Sequence, residues 1–547
     1  MCSAKTVTAN APVIKKPQAE VTREPPKATT IHVNTYLDAK KTAPIISHNM
    51  FSYDEIPGPL TLRMINKFWS MIPVMGSEVT VRIIQYLLSG GRFFGDLLSW
   101  GGNPYFFKKF FRVYGPVVRL HGAFGSDVVL LSRPEHACAV FQSEGQYPIR
   151  SCLESMQKYR LDCRKYQKIG PFFMYGADWE RLRKAMEEQL KDSIVKQYET
   201  IDRICDDFVE RIKVLRNPQE EMPNDFLKEI HKWSLESLCS VTLNKRFGFL
   251  DTYGLSPTSD AGVILQGLTG ATQAIRKCEY GLHVWKFIET PAWKSLVKHC
   301  DMVENVLDKH VADAIESLKY KKDKLTGLDS ASMLESLVLK HNTKYQDVMT
   351  VMLDMFLIGT NATAHTVGFL LYHLAKNPRC QIKLYGEVKK NPTANRDTLK
   401  RMPYLQACMK ECLRLNPAIP ILSRVLTNDI VVHNYQVPKG THVLFASHLN
   451  SYNEEYFEDA TRFKPERWLD NELGGFGNEY QAFATMPFGY GAKSCVAKEL
   501  AEVQIAMLTY KVCKNFKIEY NYGDITSSSE MLAQPTKPLK FRFVDRA

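Results

Sequence analysis

A glycine-rich turn that leads straight into a helix is the feature that most constrains what this chain can fold into. The segment Pro487–Cys495 (PFGYGAKSC) contains Gly489 and Gly491 and ends on a cysteine. Apolar residues follow it at helical spacing: Leu500, Val503, Leu508 and Val512. Because glycine has no side chain, such a turn allows tight backbone geometry and the close approach of a flat ligand.

Cys495 stands where the turn meets this helix. Unpaired N–H groups and the dipole of a helix N-terminus favour a thiolate over a thiol. A thiolate so placed is a soft, strongly donating ligand suited to haem iron. A lone cysteine is also commonly an inert buried thiol. The turn by itself is compatible with either interpretation.

Composition and charge exclude several classes of protein. The 547 residues, 45% hydrophobic and 11% aromatic, can build a deep core. The formal charge of +12 suits an anionic partner. Because the basic residues are scattered and no zinc-finger, RNA-recognition or helix-turn-helix signature accompanies them, we predict no nucleic-acid partner. The 13 cysteines lack a framework spacing, and Cys408 and Cys412 have no second pair at zinc spacing, so we expect buried thiols in a reducing compartment.

Residues 1–50 differ in composition from the rest of the chain. They are rich in Lys, Thr, Ala and Pro with a net positive charge, which predicts a flexible leader and is similar to a mitochondrial targeting segment. The rigid turn Glu55–Pro59 follows, and no Gly/Ser-rich or Pro-rich linker divides the remainder, so residues 51–547 are expected to form a single domain. No stretch approaches about 18 consecutive apolar residues, so no transmembrane helix is predicted.

Helical patterns dominate the body of the chain. An amphipathic helix is predicted over residues 178–215, and a long apolar helix with little charge over residues 347–375. Strand patterns are short: Val117–Leu120, Val128–Leu131, Ile430–Val432, His442–Ala446 and Lys540–Val544. The sequence therefore predicts a mainly α fold with small β-sheets.

Two charged motifs precede the cysteine turn. Glu411 and Arg414 lie one helical turn apart in the segment ECLR, and Arg467 lies in the proline-stiffened segment Phe463–Trp468. In this order with the turn, they match the motifs of the cytochrome P450 superfamily, which the chain resembles over roughly residues 50–547. The resemblance implies a mainly α, triangular fold with small β-sheets, built round a buried haem b (iron protoporphyrin IX).

The resemblance also assigns roles to residues. Cys495 would be the axial ligand of the haem iron, and a charge triad that locks the haem-binding core would consist of Glu411, Arg414 and Arg467. Trp179 and Arg183, spaced W-x-x-x-R, match the pair that holds one haem propionate, and Arg424 matches the strand arginine at the other. The cofactor-binding set implied in this way is Trp179, Arg183, Arg424, Phe488, Gly491, Lys493, Cys495 and Ala497.

Ala497 is one of two departures from the family pattern, which usually has Gly at this position. A small shift accommodates one methyl group, so haem binding is expected to survive. The other departure lies where dioxygen is activated.

Members of the superfamily commonly carry an acid followed by Thr above the iron, and these organise the protons that cleave the O–O bond. The stretch Ile358–Thr363 (IGTNAT) keeps Gly359, which lets the helix open, but has Asn361 for the acid and Ala362 for the alcohol. Asn orients water but cannot relay a proton by ionising. Thr363 is adjacent, but about 100° further round the helix.

Three explanations fit this second departure. Water or a substrate hydroxyl completes the relay of a monooxygenase; or the protein performs an isomerisation or peroxide-driven reaction that needs no relay; or it binds haem in a signalling or carrier role without turnover. The resemblance favours the monooxygenase, with a lipophilic substrate such as a sterol, a steroid or an ecdysteroid-like molecule. Segments that line the substrate pocket in the family are largely apolar here, with Phe172, Phe173, Met174, Phe356, Ile419, Ile421, Met531 and Leu532.

Several segments resemble the mitochondrial animal clan of the superfamily: Tyr147–Arg150, Trp285–Trp293 and Lys498–Glu502. The clan implies electrons from a small acidic ferredoxin with its reductase, and peripheral association with the matrix side of the inner membrane. Of two lysines that help to dock the ferredoxin, one is retained as Lys410 and the other is Gln406. Lys493 and the charge of +12 also suit an acidic donor.

Overall fold

The computed structural model describes residues 50–60, 62–64, 67, 105–121, 127–151, 153–223, 226–251, 254–280, 283–321, 331–341, 343–393, 395–469, 480–529 and 532–546. They belong to one compact unit that spans Ser47–Ala547. Apart from Met50, the predicted leader lies outside the described residues, as does Met531.

Helices make up most of the described chain. The first half contains α1 Tyr105–Tyr114, α2 Pro134–Ser143, α3 Glu154–Lys158, α4 Gly176–Lys196, α5 Tyr198–Leu215, α6 Phe226–Leu243, α7 Asp260–Tyr280 and α8 Pro291–Lys321. The second half contains α9 Met333–His341, α10 Tyr345–Asp354, α11 Thr360–Lys376, α12 Pro378–Lys390, α13 Arg396–Lys400, α14 Pro403–Leu415, α15 Ser447–Ser451 and α16 Lys498–Asn515. A π-helical turn, Tyr159–Cys163, extends α3, and another, Met355–Gly359, joins α10 to α11.

The strands are short and form small sheets. They are β1 Val117–Leu120, β2 Val128–Leu131, β3 Leu422–Val425, β4 Ile430–Val432, β5 Tyr435–Val437, β6 His442–Phe445, β7 Phe516–Glu519, β8 Ser527–Ser529, β9 Ala533–Pro535 and β10 Arg542–Asp545. The largest sheet has the order β1-β2-β6-β3, in which β2 and β6 are parallel and the other pairs antiparallel. The pairs β4–β5, β7–β10 and β8–β9 are antiparallel two-stranded sheets.

The predicted helix over residues 178–215 is wrong in its continuity. Gln197 ends α4 and precedes α5, and its side chain donates a hydrogen bond to Asn244 Oδ1 at 2.7 Å. Ile194 and Ile201 are both buried on either side of the break. The hydrophobic pattern therefore continues across a bend that periodicity alone cannot detect.

The long central helix is confirmed, with one interruption. α10, the π turn Met355–Gly359 and α11 together cover residues 345–376. Val367, Leu370 and Leu371 are fully buried because α11 packs against α6, α14 and α16. A helix enclosed on several sides is apolar nearly all round, which explains its low charge. No described helix is long and apolar enough to span a membrane.

Candidate functional site

The turn before α16 has the backbone that its glycines predict. Gly489 and Gly491 adopt φ values of +70° and +67°, in the left-handed region that residues with side chains rarely adopt. Across the turn, the N–H of Cys495 donates to the carbonyl of Phe488 at 2.8 Å. Ala497, whose φ is −98°, is the N-cap of α16, so its backbone does not require glycine. The turn thus fixes the position of the cysteine.

The thiol of Cys495 is accessible to solvent but lies deep among protein atoms, as expected for a group on the wall of an internal space. Burial raises its pKa, and this outweighs the opposing effects of the Ala497 N–H and of the charges of Arg183 and Arg150. The N–H of Ala497, the N-cap of α16, acts in the direction expected of a helix N-terminus, but burial of the uncoordinated thiol is the larger effect. A coordinated metal cation would deprotonate the thiol outright.

Four cationic side chains converge on the same turn: Arg150, Arg183, Arg424 and Lys493. The arginines each donate to one of its carbonyls, Arg150 to Lys493 at 2.6 Å, Arg183 to Ser494 at 2.6 Å and Arg424 to Tyr490 at 3.2 Å. The ammonium of Lys493 donates to the carbonyl of Met174 and lies 3.7 Å from the centre of the Trp179 ring. These contacts bring together the cofactor-binding residues that the sequence singled out.

Charge balance in this cationic pocket is incomplete. Within the part of the chain that the structure describes, Glu144 accepts from Arg424, and the half-exposed Glu187 lies 3.9 Å from Arg183. Burial and then mutual repulsion lower the pKa of Arg150 to about 10 and that of Lys493 to about 7. Burial also lowers the pKa values of Arg183 and Arg424. Buried cations that outnumber their carboxylate partners favour an anionic ligand, and the two propionate carboxylates of a haem would balance the excess positive charge.

The charge triad is formed as expected. Arg414 donates to both oxygens of Glu411, at 2.8 and 2.9 Å, and Arg467 donates to one of them at 3.0 Å. The indole N–H of Trp468 and the backbone N–H of Lys464 also donate to Glu411, each at 2.9 Å. Burial would raise the pKa of Glu411, but the hydrogen bonds and charges of Arg414 and Arg467 hold it below its usual value. This buried network joins α14 to the loop that precedes the cysteine turn.

The central helix opens at the π turn Met355–Gly359. A Cβ placed on Gly359 would meet no atom within 4 Å, and Ala362 is half-buried, so both positions border open space. Thr363 is buried and does not share that border. The side-chain amide of Asn361 donates to the carbonyl of Leu357 at 2.8 Å. The helix therefore keeps the opening but not the acid and alcohol.

Two residues of the site were not among the predicted ones. Arg150 lies in the segment Tyr147–Arg150, which the sequence marked by resemblance alone, and Glu144 carried no signal, since one carboxylate in a helix-ending loop is ordinary. The prediction that Lys493 suits docking of an acidic donor is wrong, because its side chain is 2% exposed and bound inside the cationic pocket. Lys410 is exposed on α14, as a docking residue requires.

Comparison with known proteins agrees with this geometry. Residues 88–543 match the family model described as Cytochrome P450. "Probable cytochrome P450 301a1, mitochondrial" of Drosophila melanogaster is 30% identical over 90% of this chain and 87% of its own length. "Cytochrome P450 CYP12A2" of Musca domestica is 31% identical over 85% of this chain and 89% of that protein. "Probable cytochrome P450 12a5, mitochondrial" of Drosophila melanogaster is 33% identical over 79% and 84%.

The family match covers most of the chain, and the mainly helical fold with small sheets is the one that it implies. The expected fold class is therefore confirmed. The chain belongs to the cytochrome P450 family and is a haem-dependent monooxygenase, an oxidoreductase.

Proposed function

We propose that Cys495 is the axial ligand of a haem b and that the cationic pocket of Arg150, Arg183, Arg424 and Lys493 holds its two propionates. The observation that carries this is a deep, accessible thiol beside four cations, of which Arg424 pairs with Glu144 and Arg183 with the half-exposed Glu187. When bound, the haem supplies dioxygen activation, and thiolate donation assists O–O cleavage. The protein's part is to hold the cofactor, orient the substrate and water, and exclude bulk solvent.

The substrate of this monooxygenase would be a lipophilic molecule that becomes hydroxylated. Phe172, Ile419 and Ile421 are apolar and half-buried, so they can face a ligand. Phe173, Met174, Phe356 and Leu532, also expected to line the pocket, are buried. A smaller apolar lining than the sequence suggested still suits a sterol, a steroid or an ecdysteroid-like molecule.

Electrons would come from an acidic ferredoxin with its reductase. Lys400, Lys410 and Lys498 are exposed and lie round Glu502, whose pKa is raised by burial against the opposing charges of these lysines. Glu502 is on the first turns of α16, the helix that follows Cys495, so this lysine surface lies near the thiolate side. Positive charge there steers an acidic partner to it.

We also propose a mitochondrial location, on the matrix side of the inner membrane. Two of the relatives above are named as mitochondrial proteins. Residues 1–50 would then be the targeting leader and residues 51–547 the haem domain, with the net positive charge of the leader suited to import.

An apolar loop tip supports peripheral association with the membrane. The rings of Trp285 and Trp293 are buried and stacked, 5.3 Å apart, at the base of this loop. Between them, Phe287 and Ile288 are 68% and 65% exposed. Two adjacent exposed apolar side chains, on a loop held at its base by stacked rings, suit shallow insertion into a lipid surface.

A second candidate function is haem binding with an isomerase or peroxide-driven reaction, or with no turnover. The amide of Asn361 and the methyl group of Ala362 favour it, since neither group transfers a proton by ionising. Peroxide-driven chemistry would proceed with added peroxide and without reductant. A carrier would give no product with peroxide or with reductant.

Turnover separates these candidates. The purified haem-loaded protein is incubated with a ferredoxin, its reductase and NADPH on a panel of sterols and steroids, and oxygenated product, NADPH consumed and peroxide released are measured. A monooxygenase gives reductant-dependent product. Product with added peroxide alone supports the second candidate, and haem binding without product in any arm supports a carrier.

A further inference from the structure

Asn361 acts in the structure as a hydrogen-bond donor with two partners. Its Nδ2 donates to the carbonyl of Leu357, inside the π turn, at 2.8 Å, and to Oγ1 of Thr272 on α7 at 3.2 Å. The hydroxyl of Thr272 in turn donates to the carbonyl of Leu268 at 2.8 Å. Because a hydroxyl has one proton and Leu268 receives it, Thr272 must accept from Asn361. The direction of this chain of hydrogen bonds is therefore fixed.

Neighbouring carbonyls of the opened helix are braced in the same way. Ser234 of α6 donates to the carbonyl of Thr360 at 3.2 Å, and Thr366 donates to the carbonyl of Ala362 at 2.8 Å. Side-chain donors that bind helix carbonyls bend a helix and compete with its backbone ladder. The carbonyls on both sides of the opening thus receive hydrogen bonds from neutral donors on α6 and α11, while α7 supplies the acceptor Thr272.

We propose that Asn361 is a positioning residue that clamps the π turn to α7 through donated hydrogen bonds, and that proton delivery does not run through residue 361. A carboxylate has no proton to donate, so the acid common in the family would set an oxygen against the carbonyl of Leu357 and would break the clamp. Protons would then arrive by water in the open space beside Gly359 and Ala362. The clamp depends on the fold alone, whereas the claim about the route of the protons rests on the proposed monooxygenase activity.

Two buried histidines lie beside the clamp. His231 of α6 hydrogen-bonds to Asn361, and its ring centre lies 5.1 Å from that of His365 on α11. Burial lowers the pKa of His231 and lowers that of His365 to about 3. The charged side chains on the same stretch of α7, Arg276 and Lys277, are exposed. Asp354, which precedes the π turn, is paired with the buried Arg160 at 2.6 Å, so a carboxyl at position 361 would be the titratable group that the substitution adds.

The test compares Asn361→Asp, Thr272→Val and the control Thr269→Val in the haem-loaded protein. Thr269 is exposed on α7 and donates to the carbonyl of Leu265 at 2.8 Å, so it repeats the local bond of Thr272 without contacting Asn361. We expect the melting temperature of Asn361→Asp to fall by roughly 3 °C at pH 8. The deficit should shrink as the pH falls to about 5, because a protonated carboxyl can donate again. The control and the wild type should show no such difference.

Coupling of reductant to product is the second readout. Thr272→Val removes the acceptor, and peroxide released per NADPH should rise at least about twofold, while Thr269→Val leaves it unchanged. The inference is overturned if Asn361→Asp matches the wild type at pH 8 without a pH trend, or if it couples better than the wild type. If the melting temperature of Asn361→Asp depends on pH as expected but no variant gives product, the clamp is supported and the proposed monooxygenase activity is rejected.

Discussion

Glu411 is fully buried and accepts five hydrogen bonds of 2.8–3.0 Å, so Glu411→Ala leaves two guanidinium groups facing an apolar methyl. Removal of one partner of a buried ion pair costs about 3–5 kcal/mol. A simple sum of five charged hydrogen bonds, at about 1.5–3 kcal/mol each, would overestimate the loss. The loss of stability is reduced because Arg414 keeps three other acceptors, the carbonyls of Ser451, Ala460 and Arg462. We therefore expect a loss of about 3–5 kcal/mol in the free energy of unfolding.

Urea unfolding, followed by the haem absorbance, measures this loss. The matched control is Glu499→Ala, because Glu499 also binds two cations, Lys400 at 2.7 Å and Arg396, but its side chain is 29% exposed. An exposed network of this kind contributes up to about 1 kcal/mol. A Glu411→Ala protein within about 1 kcal/mol of the wild type would refute the reasoning.

The pH dependence of this stability has a definite sign. Because Arg414 and Arg467 hold the pKa of Glu411 below its usual value, its contribution is present above the pKa of an unfolded carboxyl. It is lost as the pH falls through the lower pKa of the folded protein. Glu411→Ala should therefore lose less stability than the wild type on acidification.

Three further outcomes are expected. Arg150→Gln should release haem to apomyoglobin at least about tenfold faster than the wild type, since one charged hydrogen bond contributes roughly 1.5 kcal/mol. The control Arg133→Gln, at an exposed residue, should release haem at the rate of the wild type. Equal rates for Arg150→Gln and the wild type would contradict the role of Arg150. Ala362→Thr places a hydroxyl at the opening of the central helix and should lower peroxide release per NADPH, as measured by a peroxidase-coupled assay; an unchanged ratio would show that residue 362 does not limit coupling. Phe287→Asp combined with Ile288→Asp should reduce co-sedimentation with phosphatidylcholine–cardiolipin vesicles without a change in melting temperature, and undiminished co-sedimentation would reject the loop as a membrane contact.

Local patterns in the sequence predicted the parts of the fold that local physics decides. The strands over 117–120, 128–131 and 430–432 were predicted with their observed bounds, and the last strand begins two residues later than expected. Strands β3, β5 and β7–β9 went unpredicted by pattern, although they are no shorter than the strands that were predicted. Their partners, rather than their own residues, make them strands.

The candidate site was predictable where a motif carried it and not where burial decides. The resemblance to the family pointed to Cys495, Arg183 and Arg424, and the structure brings them to one turn. Lys493 was given a surface role as well as a cofactor role, because the sequence does not show which lysines are buried. The pairing of Glu144 and the hydrogen bonds of the central helix with Ser234 and Thr272 depend on contacts between residues far apart in the chain.

The central claim is that Cys495 is the thiolate ligand of a haem. The absorption spectrum of the reduced, carbon-monoxide-treated protein tests it most directly, on the wild type, on Cys495→Ser and on the control Cys163→Ser, which removes another exposed thiol. We predict a strongly red-shifted Soret band in the wild type and in the control, and its loss in Cys495→Ser. A wild type that takes up no haem, or a red-shifted band that persists in Cys495→Ser, would contradict the account.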